Sequence, residues 1–272
     1  MKKMRIDTLL VEKGLADSRS QAQRLVMAGQ VKVDGQLVPK PSVSFPENVK
    51  IIIEPGQRFV SRGGEKLAAA LNEFSIDVRG KVCADVGAST GGFTDCLLQY
   101  GAQRVYAIDV GRGILHWNLR QDDRVIVMEG INARYLEKLP EQVDLVTIDA
   151  SFISLKVLLP VVKAWFDDEG GDAIVLIKPQ FEAGKSEAAR GKGVIRDVKV
   201  HEKVIFDVLS FADEAGYQVM DVIKSPLKGP KGNIEFLAGM KFPAQDRSDI
   251  RELISTLINT LSTIESDNDG DG

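Results

Sequence analysis

Cysteine, histidine, tryptophan and long apolar runs are all scarce in this chain of 272 residues. The two cysteines, Cys83 and Cys96, are too few for a disulfide framework, and neither has a Cys or His nearby at zinc-ligand spacing. His116 and His201 are solitary, so no metal role is assigned to them. No stretch approaches the ~20 consecutive apolar residues of a membrane-spanning helix, and Met1-Lys2-Lys3-Met4-Arg5-Ile6-Asp7 lacks a secretory signal's apolar run. These absences predict a cytoplasmic chain with no metal centre and no membrane partner. What is present is 44% hydrophobic and 27% charged residues, a globular composition, and a length that predicts about two domains at ~150 residues each.

The net charge of -4 hides a division. Residues 1–66 carry 12 Lys/Arg against 7 Asp/Glu, net +5, and the rest of the chain is net -9. A basic module on an acidic body suits an appendage that binds a polyanion, because Lys and Arg neutralise phosphates whatever the total charge. A merely solvated surface accounts for the charge equally well.

The first segment reads as helix, helix, hairpin. Ile6, Leu9, Leu10 and Leu15 give one apolar face broken by Gly14. Ser18 caps a second helix from Arg19, with Ala22, Leu25 and Val26 inward, and Gly29 ends it. Val31 to Val38 alternates around Asp34-Gly35, the chemistry of a two-residue hairpin turn, and Val49 to Ile53 supplies a further strand. The run Arg5-x-Asp7-x-Leu9-Leu10-Val11-x-x-Gly14-Leu15, with Ser18-Arg19-x-x-Ala22 and Gly29-x-Val31-x-Val33-Asp34-Gly35, resembles the ribosomal-protein-S-four-like RNA-binding domain. The resemblance implies a small α+β RNA reader over residues 1–60, with Arg5, Arg19, Arg24 and Lys32 as phosphate contacts. A stabilising appendage is the alternative.

Phe59 to Gly64 forms a joint, and from Glu65 the pattern turns helical. Leu67, Ala70, Leu71 and Phe74 share one face, which places Lys66 in the first turn and off the buried stripe. A cation gains nothing from a helix N-terminus, so the position of Lys66 wants another reason. From Lys81 onward strands alternate with helices. The strands are predicted at 81–86, 104–109, 125–128, 143–149, 172–177, 218–223 and 234–239, and the clearest helices at 93–100, 155–166 and 200–215. That order predicts a Rossmann-like, doubly wound α/β domain with a parallel sheet, spanning residues 61–264. A helix over 247–264 packs by Ile250, Leu253, Ile254, Leu257 and Leu261, and residues 265–272 read as a disordered acidic tail.

The first strand of that domain ends in Asp85-Val86-Gly87-Ala88-Ser89-Thr90-Gly91-Gly92-Phe93-Thr94-Asp95. Small residues there let the backbone approach a ligand at the carboxyl edge of the sheet. Asp109, at the end of the second strand, is placed to take both ribose hydroxyls of an adenosine-containing cofactor. Nicotinamide cofactors and S-adenosylmethionine both satisfy this pattern. Ser89, at the second glycine of G-x-G-x-x-G, disfavours a tightly held pyrophosphate, and no Gly-Lys-Ser/Thr of a P-loop follows. A cofactor with a carboxylate and an amine fits better, and Asp85 is placed to meet the ammonium. The candidate cofactor residues are Asp85, Gly87, Ala88, Ser89, Thr90, Gly91, Phe93, Thr94, Asp109 and Asp149.

Further polar residues end the later strands: Asp149 after Val143 to Ile148, Lys178 after Ala173 to Ile177, and Glu235 in the strand that follows Lys231-Gly232-Asn233. Singly they read as a helix cap, a solvated strand end and an outward strand residue. With Lys66 they form the series Lys66, Asp149, Lys178, Glu235, which matches the tetrad of FtsJ-like ribose 2'-O-methyltransferases. The motifs Ser61 to Leu67, Asp85 to Asp95, Ile148 to Leu155, Ile177 to Glu182 and Gly232 to Phe236, behind the RNA-binding module, resemble the hemolysin A (TlyA) family. The resemblance implies S-adenosylmethionine-dependent methylation of a cytidine ribose in ribosomal RNA, with ribosomal RNA or ribosomal subunits as partners.

The chemistry suits those residues. A ribose hydroxyl is a poor nucleophile and the sulfonium methyl is already activated, so an enzyme aligns oxygen, methyl and sulfur and removes one proton, without a metal. Lys178 is the candidate base: Lys66 nearby disfavours its charged form, whereas Asp149 and Glu235 oppose that shift while orienting the amines. Lys178 therefore either takes the proton or positions the hydroxyl. The basic segment 182–196, with Lys185, Arg190, Lys192 and Arg196, and Arg62 at the joint, are placed to touch RNA backbone. Lys224, Lys228 and Lys231 form a second basic strip, and Trp117 and Trp165 read as packing residues. Three other functions stay open on the sequence: a nucleotide-cofactor oxidoreductase, an RNA-binding protein without catalysis, and a pore-forming hemolysin, which lacks any long amphipathic apolar segment to support it.

Overall fold

The structure, a computed structural model, describes residues 3–54, 56–184, 187, 191 and 193–268, with side chains to residue 259. The chain divides into two units, Met1–Arg58 and Phe59–Gly272. In the first, strand β1 (Lys3–Arg5) runs directly into helix α1 (Ile6–Glu12), and α2 (Arg19–Met27) follows. Ser18 caps α2 as its sequence position predicts, its side chain accepting the Gln21 backbone N–H at 3.2 Å. β2 (Val31–Val33) and β3 (Gln36–Leu37) form the hairpin, with Asp34 at φ 49° and Gly35 at φ 82°, the left-handed pair that a type I′ turn requires. β4 (Ser44–Pro46) pairs with β1, a two-stranded ribbon the sequence reading does not contain, and β5 (Ile51–Ile53) pairs antiparallel with β2. Ile6, Leu9, Leu10, Ala22, Val26, Val31 and Val33 close one core. Leu15, expected on the first helix's apolar face, is exposed, because α1 ends at Glu12 and the chain turns at Gly14 before reaching it.

The second unit opens with α3 (Gly63–Glu73) and then alternates: β6 (Val82–Val86), α4 (Gly92–Gln99), β7 (Arg104–Asp109), α5 (Trp117–Arg120), β8 (Val125–Glu129), β9 (Leu145–Ile148), α6 (Leu155–Val162), β10 (Gly171–Ile177), α7 (Pro179–Glu182), α8 (Val198–Glu214), β11 (Gln218–Lys224), β12 (Phe236–Phe242) and α9 (Ile250–Asn268). Seven strands form one sheet in the order β11-β12-β10-β9-β6-β7-β8. In the buried strands successive residues face opposite ways: Val146, Ile148, Val175 and Ile177 enter one core, and Leu145, Ile174 and Leu176 the other. Both faces of the sheet are therefore covered, as a doubly wound fold demands.

The fold departs from expectation in several places. The sheet is not wholly parallel: β12 runs antiparallel to both β10 and β11. The connection 225–235 is rich in Gly and Pro and too short for the crossover helix that a parallel return needs. The helix expected over 155–166 stops at Val162 and passes into a 3-10 turn, Lys163–Trp165. Helix α9 runs to Asn268, past the expected end at 264, and residues 269–272 of the acidic tail lie outside the described residues. Trp165 is core, but Trp117 is 67% exposed at the start of a four-residue helix, against the packing role expected of it. Among the described residues no helix is long and apolar enough to cross a membrane, and no group of three or more His, Cys, Asp or Glu is placed to hold a metal ion.

Candidate active site

The carboxyl ends of β6, β7 and β9 lie side by side, and the turn after β6 runs across them. Gly87 makes that crossing with φ +87°, and a Cβ there would stand 2.7 Å from the Asp149 carbonyl oxygen, so only glycine fits. Two cavities flank the turn and share Gly87, Ser89 and Asp149 in their walls. One, about 250 Å³, has an apolar lining that includes Val86, Ile108, Val110, Ile131 and Leu158, with Asp109 and Asn132 as polar groups. The other, about 360 Å³, is lined by Ser61, Arg62, Lys66, Thr90, Phe93 and Lys228 among others.

The four tetrad residues form two ion pairs, each with one member on the wall of this second cavity. Lys66 Nζ donates to Glu235 Oε2 at 2.5 Å, with Glu235 fully buried. Lys178 Nζ lies 2.5 Å from Asp149 Oδ1 and donates to the Asp149 carbonyl at 3.2 Å and to Ser151 Oγ at 3.1 Å. Lys66 and Asp149 line the cavity directly, and Gly229 of the same wall packs so close over Glu235 that a Cβ would fall 2.0 Å from its carboxylate. Gln180, two residues after Lys178, donates to Glu235 Oε1 at 3.4 Å. Two details differ from the sequence reading. Lys66 is buried rather than off the buried stripe, because its partner is a carboxylate 169 residues away that no helical pattern reveals. Glu235 precedes β12 instead of lying within it.

Of the candidate cofactor residues, Gly87, Ala88, Ser89, Thr90, Phe93, Asp109 and Asp149 line one or both cavities. Asp109 accepts the N–H groups of Ser89 (2.8 Å) and Gly111 (2.7 Å), which ties the first two βα turns together. Asp85, Gly91 and Thr94 line neither cavity. Asp85 is completely buried: Thr94 Oγ1 donates to it at 2.7 Å and Thr147 Oγ1 at 3.2 Å, so its carboxyl is turned inward, away from any ligand's ammonium. Burial pushes that carboxyl up to about 7, a shift the two threonine bonds partly oppose and the nearby Asp149 charge reinforces.

The candidate RNA contacts differ in how they are held. Arg5 grips Asp7 with two bonds, 3.1 and 2.8 Å, and Arg19 Nε adds a third at 3.1 Å. Arg24 donates to Ser20 Oγ, and Lys32 pairs with Glu54 at 2.5 Å. Arg62 and Arg196 are exposed, Arg62 on the wall of the larger cavity. Lys185, Arg190 and Lys192 lie outside the described residues.

Several contributors escaped the sequence reading. Glu129, at the end of β8, accepts the N–H groups of Gly113, Ile114 and Leu115 and pairs with Arg120; those backbone bonds, Gly113 foremost, hold its carboxyl down to about 2. It fixes the loop beyond Asp109, and its one signal was its place at a strand end. Ser151 and Phe152 sat inside a quoted motif without a role. Phe152 is 90% exposed, adopts φ +65° on the wall of the smaller cavity, and meets Phe181 at 4.8 Å between ring centroids.

Comparison with known proteins places both parts of the chain in known families. A family model for FtsJ-like methyltransferases matches residues 59–242, and one for the S4 domain matches residues 4–48. The chain is 42% identical over 244 residues to the 16S/23S rRNA (cytidine-2'-O)-methyltransferase TlyA of Mycobacterium tuberculosis, covering 88% of this chain and 90% of that protein. It is 40% identical over 245 residues to Hemolysin A of Brachyspira hyodysenteriae, covering 86% of this chain and 98% of that one. A solved structure from Streptococcus thermophilus, described as a hemolysin, superimposes with a TM-score of 0.72 at 40% identity, covering 98% of this chain and 99% of that one.

Proposed function

The chain belongs to the FtsJ-like methyltransferase family, and we propose that it methylates the 2'-hydroxyl of a cytidine ribose in ribosomal RNA, with S-adenosylmethionine as donor. The observation that carries this reading is the two Lys–carboxylate ion pairs, each with one member on the same cavity, with Asp149 shared by the adjoining cavity. The smaller cavity suits an adenosine: apolar walls for a base, and the Asp109 carboxylate and Asn132 amide for a ribose. The turn along the cavities has Ser89 where a pyrophosphate-binding G-x-G-x-x-G has its second glycine, and Lys66 and Arg62 offer cations to a carboxylate or a phosphate. When bound, the sulfonium donor supplies an electrophilic methyl group.

The residues of the chain then have two tasks. They align the attacking hydroxyl, and they receive its proton as the new O–C bond forms. Lys66, fixed on Glu235, and Lys178, fixed on Asp149, bracket the place where that hydroxyl is to sit. Lys178 is the base in this reading. An ammonium has no lone pair, so Lys178 takes the hydroxyl proton as the free amine. Residues 1–60 serve as the RNA reader and residues 61–264 carry the reaction, with Arg5, Arg19, Arg24, Lys32, Arg62 and Arg196 meeting phosphates. The expected place of work is the cytoplasm, where ribosomal subunits are available.

The test is direct. Ribosomal subunits from cells lacking this protein are incubated with the purified chain and isotopically labelled S-adenosylmethionine, and ribose methylation is mapped by mass. Label on a cytidine 2'-oxygen is the expected result. Label on a base, or none, overturns the reading.

A further inference from the structure

Two segments of the site are held together twice. Segment 149–155 leaves β9 at Asp149 and enters α6 at Leu155, and segment 178–182 leaves β10 at Lys178 and forms α7. At one end Lys178 reaches Asp149 and Ser151. At the other, Glu182 accepts Ser154 Oγ–H on Oε2 at 2.6 Å and the Leu155 backbone N–H on Oε1 at 2.8 Å. Ser154 is the N-cap of α6, its hydroxyl accepting the Lys156 N–H, so the carboxylate sits where a helix start favours negative charge. Between the two ends lies Phe152, with φ +65° and its ring against Phe181. A bulky residue keeps a left-handed backbone only where its surroundings over-determine it.

We infer that Glu182 is a positioning residue: by clasping Ser154 and Leu155 it holds the wall of the cofactor cavity and the base, Lys178, in one fixed arrangement. The inference rests on the proposed methyl transfer, and it assigns a purpose to a residue that touches neither tetrad ion pair. Ala150, Ser151, Phe152 and Ile153 line the smaller cavity, so loosening their far end loosens the wall. The same loosening frees α7, which carries Lys178 at its start. One side chain outside the tetrad thus bears on both cofactor affinity and methyl transfer.

The experiment measures S-adenosylmethionine affinity by calorimetry and the single-turnover methyl-transfer rate at saturating cofactor, on the full chain with ribosomal subunits. Glu182→Ala removes two charge-assisted bonds and is expected to weaken cofactor binding about tenfold and to slow transfer by a similar factor. Ser154→Ala, the second variant, removes one of the two Glu182 bonds together with the cap on the Lys156 N–H, and is expected to change both by about threefold. Glu182→Gln retains an acceptor and restores part of each loss. Lys178→Ala is the contrast: it slows transfer far more than it weakens affinity, whereas Glu182→Ala lowers both by similar factors. Unaltered affinity or an unaltered rate in both Glu182→Ala and Ser154→Ala overturns the inference. If the unaltered chain binds cofactor and methylates no RNA, the proposed function fails, and the affinity measurement alone then judges Glu182.

Discussion

Each unit of this protein sets cations on a buried carboxylate, and each does it differently. In the first unit a single fully buried acid, Asp7, holds two arginines whose side chains stay 44% and 56% exposed. In the second unit each acid holds one lysine, and the lysines are themselves almost wholly buried. Arginine stays charged at any working pH and keeps spare N–H donors after a bidentate grip, so the Asp7 cluster is a rigid presentation of positive charge to solvent. Lysine is a compact ammonium that can shed a proton, and enclosing it beside a cavity suits chemistry. Under the proposed function, ion pairs of similar length serve recognition in one place and proton transfer in the other.

The sharpest way to break that comparison is at Lys178. Replacement by alanine is expected to lower single-turnover methyl transfer by about 10²–10⁴-fold, the usual worth of a positioned acid or base. Lys178→Arg separates the two readings of this residue. It keeps the cation and the contact with Asp149 but does not deprotonate, so a base leaves it as slow as the alanine variant, and a positioning group leaves it much faster. Should Lys178→Arg transfer as the unaltered chain does, the lysines and the arginines of the two units play the same part and the contrast is void.

A second measurement uses pH, because the two units respond with opposite sign. Asp85 has its folded carboxyl raised to about 7 by burial, so between the ordinary carboxylate range and pH 7 the folded chain binds more protons than the unfolded one. Stability of the second unit therefore falls as pH rises across that window, by roughly 4 kcal/mol in all for about three pH units. Asp85→Asn keeps an acceptor for Thr94 or Thr147, and its stability is expected to be flat there, which denaturant unfolding at pH 4.5 and 8 resolves. A fall of equal size in the variant would assign the slope to another group.

Asp7 works the other way. The bidentate Arg5 contact, with Gln23 and Arg19 behind it, holds its carboxyl far below the usual range, against the cost of burial. The stabilisation it gives is complete above the ordinary aspartate range and is lost as pH falls through lower values. Asp7→Asn is expected to cost the first unit about 2 kcal/mol at neutral pH and to remove its acid sensitivity below pH 4. Hydrogen exchange in α1 and α2, compared with that in α4, reads the effect unit by unit.

The sequence carried the architecture better than the electrostatics. Strand and helix alternation, the Asp34-Gly35 turn and the Ser18 cap are encoded in neighbouring residues, and each stands where local pattern puts it. The reversal of β12 was legible only in the length of the 225–235 connection, a tertiary consequence of missing helix length. Partnerships are another matter. The helical pattern counts apolar neighbours and so gives Lys66 no partner; only the family resemblance joins it to Glu235, which is remote in the chain. Asp85 looked like a ligand contact because it ends a strand beside a glycine-rich turn, yet Thr94 and Thr147, one on the following helix and one on the neighbouring strand, turn it inward. Glu182 was visible only as a letter of a motif.

The smallest expected effect tests recognition itself. Arg19 spends one N–H on Asp7 and leaves its remaining donors toward solvent, and Arg5 spends its fork but keeps its charge exposed. If both meet phosphates, each neutralises about one, and each contact contributes roughly 0.7–0.9 to the slope of log affinity against log salt. Arg19→Ala and Arg5→Ala should each lower that slope by nearly one while leaving the single-turnover rate on saturating RNA unchanged, since neither touches the tetrad. Filter binding to ribosomal RNA across 50–200 mM salt measures it. A slope that holds steady in both variants makes the Asp7 cluster a structural staple of the small unit, and moves the RNA contacts of the chain to Arg24, Lys32, Arg62 and Arg196.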